Sequence, residues 1–120
     1  MTDAPQSPVE VVKHLTALTE ELRGKTAAIR KAERDAAEKR HIADMTESRA
    51  FLNADGAMEL RKHSARVTAD QREAEAKVAE ALVRVLRTEI RAIETQIDVG
   101  RTYGATVRAE FKTLGMDGAA

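Results

Sequence analysis

The sequence contains no cysteine and no tryptophan, and its aromatic residues are one Tyr and two Phe. The lack of cysteine excludes disulfides, thiolate metal sites and cysteine nucleophiles. Apolar residues make up 42% of the 120 residues, but 22 of them are Ala, which is too small to fill a spherical core. Since Ala lets backbones approach closely, the composition favours a narrow seam between helices over a globular core.

The sequence also has no excess of charge of one sign, because 20 basic residues balance 20 acidic ones. The chain therefore has no overall electrostatic attraction to nucleic acid or to an anionic membrane. Its apolar runs are far shorter than the ~20 residues that a membrane helix needs. The N-terminus has neither a basic region nor a long apolar segment that would indicate a signal peptide. These features predict a cytoplasmic protein with no membrane partner.

A helix-start signal is present at Ser-Pro-Val-Glu, residues 7–10. Ser7 can accept a hydrogen bond from the third helical N–H, and Pro8 suits the first helical position. Apolar or small residues then recur at alternating steps of four and three, which is the coiled-coil period. The spacing predicts a helix over 8–54 after a disordered segment 1–7. Its seam positions are Val11, Leu15, Leu18, Leu22, Lys25 as a lapse, Ile29, Ala32, Ala36, Ala43 and Ala50.

The sequence Asn-Ala-Asp-Gly at 53–56 predicts a turn. Asn53 and Asp55 tolerate turn conformations, Gly56 pays no Cβ penalty, and Asp55 is a natural N-cap for the next helix. A second series predicts a helix over 57–114, with Gly115 as its C-cap and 115–120 as a tail. An inserted four-residue step near Leu82 and Leu86 predicts a local stutter. The seam predicted before this step is Leu60, Ser64, Val67, Gln71, Ala74, Val78 and Leu82.

Two helices joined by so short a link must fold back antiparallel. We therefore expect an all-α protein, a long antiparallel helical hairpin in one domain over 8–114, whose last part from Tyr103 overhangs Ser7. A single Ala-rich seam predicts self-association, most simply a dimer that forms a four-helix bundle. Gly100 and Gly104 permit either a close helix crossing or a kink. The predicted oligomer or partner interface comprises Ile93, Ile97, Gly100, Gly104, Val107, Phe111 and Leu114.

Enzymatic motifs are missing as well. The sequence has no glycine-rich phosphate loop and no G-x-S-x-G element. Glu38 and His41 have the Glu-x-x-His spacing of di-iron bundles, but such sites need a second motif and two further Glu residues. We therefore predict a non-enzymatic chain without a metal ion or cofactor.

Basic residues follow the second helix at heptad spacing. They form either a stripe that contacts phosphates or an acidic partner, or a solvated coiled-coil flank with acidic residues alongside. Stacking platforms for bases are limited to Tyr103 and Phe111. The candidate contact residues are Arg84, Arg87, Arg91, Arg101 and Arg108.

Two stretches, residues 49–65 and 86–111, carry a resemblance. Leu52, Ala54, Gly56 and Arg61 are followed by a pattern that comprises Ile97, Asp98, Arg101, Thr102, Ala105, Thr106, Val107, Arg108 and Glu110. The pattern resembles small phage or prophage helical-hairpin proteins of unassigned function, whose genes lie near those for DNA recombination and replication. The resemblance implies an accessory role in these processes, through a phage or host protein partner or through single-stranded DNA.

Two functional hypotheses follow. The first is this accessory factor of phage-type DNA recombination or replication. The second is a coiled-coil scaffold or adaptor that oligomerises and docks a host protein without touching nucleic acid. The turn residues Asn53, Asp55 and Gly56 are interpreted as a bend and not as a recognition tip, because the charges around them nearly cancel.

Overall fold

The structure, a computed structural model, describes residues 7–115 and consists there of two long helices without a strand. Helix α1 spans Pro8–Asn53 and helix α2 spans Met58–Thr113. The fold is the predicted all-α helical hairpin, with α-helical bounds one residue shorter than predicted at three of the four ends. The predicted disordered segment and tail lie, apart from Ser7 and Gly115, outside the described residues.

Both outer ends of the hairpin form as the sequence predicts. The Glu10 backbone N–H donates a hydrogen bond of 3.2 Å to Ser7 Oγ, which confirms Ser7 as the N-cap. At the other end, Gly115 has a φ of 69°. This left-handed conformation is the one in which glycine commonly ends a helix. Local sequence therefore fixes where α1 begins and where α2 ends.

The turn between the helices differs from the prediction in one detail. Gly56 has a φ of 103°, as its place in a tight turn requires. However, α2 begins at Met58, so the N-cap position is Ala57. The expectation that Asp55 caps α2 is therefore wrong, because Asp55 lies two residues too early to accept the first free N–H groups.

Arg61 secures this turn from the α2 side. Its Nη2 donates a hydrogen bond of 3.1 Å to the Phe51 carbonyl oxygen. Its guanidinium also lies 4.6 Å from the centroid of the Phe51 ring. The last turn of α1 contains no basic residue, so Arg61 supplies from the opposite helix the cation that a helix C-terminus favours.

Contacts within the chain form two compact units. The turn unit is Ala27–Arg87, and the terminal unit combines the segment up to Thr26 with the segment from Thr88. In the terminal unit, a cluster of large apolar side chains comes from both helices. Leu18, Ile93 and Ile97 are buried, with Leu15 and Leu22 packed against them. Large apolar side chains of both helices therefore pack together in this unit.

The two glycines of the terminal unit mark a close approach of the helices. A Cβ added at Gly104 would lie 2.7 Å from Val11 Cγ1, and one added at Gly100 would lie 2.8 Å from Leu15 Cδ2. Helix α2 is continuous through both positions. Of the two interpretations that the sequence left open, the structure confirms the close crossing.

In the turn unit, alanine forms most of the seam. The α1 side buries Ile29, Ala32, Ala36 and Ala43, which are positions of the predicted series. The α2 side buries Ala65, Ala69, Ala76 and Ala79 and then Val83 and Leu86. Small residues on both helices let the backbones come close together, so the seam of this unit is narrow.

The predicted seam of α2 before the stutter is wrong. All seven of its residues, from Leu60 to Leu82, are exposed. The positions that are packed follow a 4-3 spacing from Ala65 through Leu86 and on to Ile93 and Val107, with Arg72 as an exposed interruption. No inserted step is needed in this series, so the predicted stutter is absent from the seam.

Candidate interaction surfaces

The five arginines of the predicted basic stripe are all exposed on α2. In the turn unit, Arg87 Nη2 lies 3.8 Å from Glu33 Oε1. Arg84 and Arg87 also line an open groove of about 500 Å³ together with Glu33 and Glu80. Carboxylates therefore lie beside this part of the basic stripe. This arrangement is the one expected of a solvated coiled-coil flank.

The other three arginines lie in the terminal unit. Within residues 7–115, Arg91, Arg101 and Arg108 form no ion pair. Glu94 and Asp98 are exposed on the same stretch of α2. These guanidinium groups are accessible to a ligand, but acidic side chains interrupt their spacing.

A network around Arg40 crosses the turn unit. The guanidinium binds both carboxylate oxygens of Glu80, at 3.1 Å from Nε and 2.8 Å from Nη2. Nη1 also donates a hydrogen bond of 2.6 Å to Glu73 Oε2. The hydrogen bonds from Arg40 lower the pKa of Glu80 below its ordinary value. A bidentate ion pair of this kind constrains the relative position of the two side chains as well as their charges. The network therefore supports the register of α1 against α2 in the turn unit.

The Arg40 network predicts a specific loss of stability in acid. A carboxyl group whose pKa is lowered by folding stabilises the protein above its unfolded pKa, and this contribution is lost as the pH falls through the folded pKa. We expect the Tm to fall as the pH is lowered from neutrality to about pH 3, and to fall less in Glu80→Gln. The measurement is thermal unfolding followed by circular dichroism.

An Arg40→Gln background provides the control. There, Glu80→Gln should change the pH dependence much less than in the wild type, because the main group that lowers the pKa of Glu80 is gone. Parallel Tm-against-pH curves for the wild type and Glu80→Gln would contradict the role given to the pair.

Most residues of the predicted oligomer interface are instead covered within the hairpin. Ile93, Ile97, Gly104 and Val107 are buried in the terminal unit, and Gly100 and Phe111 are half-buried. The physical reason is that these residues continue the seam series and face α1. Of the predicted set, Leu114 is exposed. The expectation that this set forms an interface between chains is therefore corrected.

The predicted overhang is also shorter than expected. Gly104 faces Val11, Tyr103 is half-buried and Val107 is 3% exposed. Helix α2 therefore still packs on the first turns of α1 at these positions. The prediction that the overhang begins at Tyr103 is therefore wrong, because Gly104 lies opposite Val11, one turn after the start of α1.

A second apolar surface remains on the side of α2 that faces away from α1. We name it the outer stripe. It consists of the positions that the sequence analysis assigned to the seam, continued by Val85: Leu60, Ser64, Val67, Gln71, Ala74, Val78, Leu82 and Val85. The five larger side chains are between 49% and 71% exposed. The apolar pattern predicted from the sequence is therefore present on α2, but it faces away from α1 and does not form the seam.

The outer stripe contains no charged residue, although 33% of the chain is charged. Asp70 and Lys77 lie beside it, directly before Gln71 and Val78. Both are exposed, and neither forms an ion pair within residues 7–115. From Leu60 to Val78 the stripe is uncharged, has heptad spacing and has charged flanks, which is the pattern of a coiled-coil contact surface.

The turn end carries an open groove of about 640 Å³ lined by Phe51, Leu52, Ala65 and a mixed set of charges. Asp44 and Glu47 balance Lys62 and Arg66 around it. Asn53, Asp55 and Gly56 do not line this groove. The balance of charge and the packing of Arg61 agree with the interpretation of residues 53–56 as a bend.

Two further features of residues 7–115 bear on binding. No group of three or more His, Asp or Glu side chains there is placed to hold a metal ion. Neither α1 nor α2 has an apolar segment long enough to cross a membrane.

Comparison with known proteins adds no relative. No protein-family model, no curated protein and no solved structure matches the chain.

Proposed function

We propose that this chain is a non-catalytic coiled-coil interaction protein that presents the outer stripe of α2 to a helix of a partner. One observation carries the proposal. An uncharged series lies exposed along α2 in a chain in which a third of the residues are charged. Its spacing is 4-3 from Leu60 to Val78, and it continues at Leu82 and Val85 after a second four-residue step. A partner helix can cover such a series by knobs-into-holes packing, while the charged flanks select that partner.

A second proposal is the accessory role in phage-type DNA recombination or replication, through a protein partner or single-stranded DNA. The exposed guanidinium groups of Arg91, Arg101 and Arg108 support it, because phosphate contacts are made by such groups. The carboxylates beside Arg84 and Arg87 weaken it. A protein partner on the outer stripe therefore ranks first.

Affinity purification of the tagged chain from its native host tests both proposals. We expect the wild type to retain a protein partner after nuclease treatment and Val78→Glu to lose it. Val12→Glu is the matched control, since Val12 is 61% exposed on α1. The basic stripe is replaced in a further variant, in which Arg84, Arg87, Arg91, Arg101 and Arg108 are all changed to Ala. This variant should still bind the partner.

The opposite pattern favours the second proposal. A partner that survives Val78→Glu but is lost with nuclease treatment, or with the five-arginine variant, would indicate binding through nucleic acid. Circular dichroism of each variant shows whether the hairpin is still folded.

A further inference from the structure

The outer stripe is exposed along α2, where a partner helix can cover it. We infer that its partner is a second copy of this chain, bound antiparallel through the turn unit. This inference rests on the proposed function and specifies the partner. It rests on the pattern of apolar and charged positions along Leu60–Val85, all of which belong to α2.

Six of the eight positions of the stripe match themselves in reverse order. With a twofold axis between Arg72 and Glu73, Val78 opposes Val67 of the second copy. In the same register Val85 opposes Leu60 of the second copy, and Gln71 opposes Ala74 of the second copy. Large apolar side chains therefore meet each other at both ends, and Gln71 meets Ala74 near the axis. The other two positions have no counterpart in the stripe, since Ser64 opposes Ala81 and Leu82 opposes His63 of the second copy.

The charges beside the stripe match in the same register. In an antiparallel pair, the flank that contains Asp70 and Lys77 lies against the same flank of the other copy. Asp70 of each copy then lies beside Lys77 of the other copy, so two ion pairs form around the axis. Both groups are exposed and have no ion-pair partner within residues 7–115.

Neighbouring registers are disfavoured by the same residues. A slide of one heptad in one direction places Lys77 opposite Lys77 of the second copy and Glu75 opposite Glu75 of the second copy. A slide in the other direction places Asp70 opposite Asp70 of the second copy. Like charges at facing positions oppose association. The first slide also brings Asp70 near Arg84 of the second copy, but the register with its axis between Arg72 and Glu73 is the one of the three without repulsion among Asp70, Glu75 and Lys77.

A parallel pair fits less well. It would bring the flank of Asp70 against the opposite flank, where Glu75 of the second copy would lie nearest to Asp70. Arg84 would form an ion pair with Glu89 of the second copy in that arrangement, but Asp70 and Glu75 of the second copy would repel each other at the centre. The antiparallel pair has an attractive contact at the centre and none that repels among Asp70, Glu75 and Lys77.

Charge-swap variants test this arrangement, with the full chain in analytical ultracentrifugation over a concentration series. We expect the wild type to be in a monomer–dimer equilibrium. Asp70→Lys alone and Lys77→Asp alone should each raise the Kd of the dimer by at least about tenfold, because each creates two like-charge contacts. The double variant Asp70→Lys/Lys77→Asp should restore the wild-type Kd.

An equimolar mixture of the two single variants gives the sharpest result. It should form a heterodimer, since every flank contact between the two chains is then attractive. Val78→Glu should abolish the dimer, and Val12→Glu should leave it intact. These positions are exposed, so each variant can be shown to be folded by its helical circular dichroism.

Several results would overturn the inference. One is a wild type that sediments as a 13.2 kDa monomer throughout the series. Another is a dimer that Val78→Glu does not weaken, and a third is a double variant that fails to recover. If the wild type is monomeric but loses a host protein on Val78→Glu, the inference fails while the proposed function stands.

Discussion

Ile93→Ala should lower the free energy of unfolding by about 2–5 kcal/mol, the largest effect that we expect from one substitution. Ile93 is 5% exposed and packs with Leu18 and Ile97 in the apolar cluster of the terminal unit. Truncation removes buried methylene and methyl groups and leaves a cavity that two long helices can close only by shifting along their seam. Urea denaturation followed by circular dichroism measures the loss.

Val99→Ala is the matched control for this substitution. Val99 lies on the same helix but is 63% exposed, so its truncation should change the free energy of unfolding by no more than about 0.5 kcal/mol. The two variants together separate burial from helix propensity. An Ile93→Ala variant as stable as Val99→Ala would contradict the packing of the terminal unit.

Protein concentration decides between the two roles that Ile93 has been given. If its contacts lie within the hairpin, the destabilisation is the same in dilute and concentrated samples. If it contributed to an interface between chains, as the sequence alone suggested, the effect would shrink on dilution because the monomer would not contain the contact.

Helix α1 could be predicted from sequence almost to the residue. Apart from the exposed Val12, its large apolar residues from Val11 to Ile29 follow one 4-3 series, and no second series competes with it. The Ser7 N-cap and Pro8 mark the start by local chemistry. Even the lapse at Lys25 has a cause, since Lys25 Nζ pairs with Glu89 Oε2 at 2.5 Å. A cation at the edge of the seam is therefore neutralised by α2.

Helix α2 could not be assigned in the same way, because a second apolar series, spaced 4-3 from Leu60 to Val78, lies on a different face from the seam. The outer stripe contains Val67, Val78 and Leu82, and these larger side chains made it the more obvious core. The structure instead buries Ala65, Ala69, Ala76 and Ala79. Two facts explain this choice: the alanines face alanines of α1 across a close seam, and their series continues into Leu86, Ile93 and Ile97 without a stutter.

The Arg40 network was missed for a related reason. Glu73 and Glu80 are seven residues apart and flank the true seam, but they flank nothing when Val78 is taken as a seam residue. Once the alanine seam is known, both carboxylates face Arg40. The signal was present in the sequence, but its meaning depended on the register.

Substitution of two glycines by Ala should have opposite effects on stability. At Gly24 an added Cβ would meet nothing within 4 Å, so Gly24→Ala should stabilise the protein by about 0.5–1 kcal/mol through helix propensity. Gly104→Ala gains the same propensity but places its Cβ 2.7 Å from Val11 Cγ1. Overpacking costs about 1–3 kcal/mol, and we expect Gly104→Ala to be less stable than Gly24→Ala by that amount.

The neighbouring side chain decides the size of this effect. Valine in a helix has one strongly preferred χ1 rotamer, so Val11 cannot turn away and the helices must separate. At Gly100 the nearest atom is Leu15 Cδ2, the end of a side chain that can rotate, so Gly100→Ala should fall between the other two variants. Val11→Ala should cost less in the Gly104→Ala background than in the wild type, because the added methyl group replaces the lost one. Equal urea midpoints for Gly24→Ala and Gly104→Ala would show that the helices do not cross closely at this end.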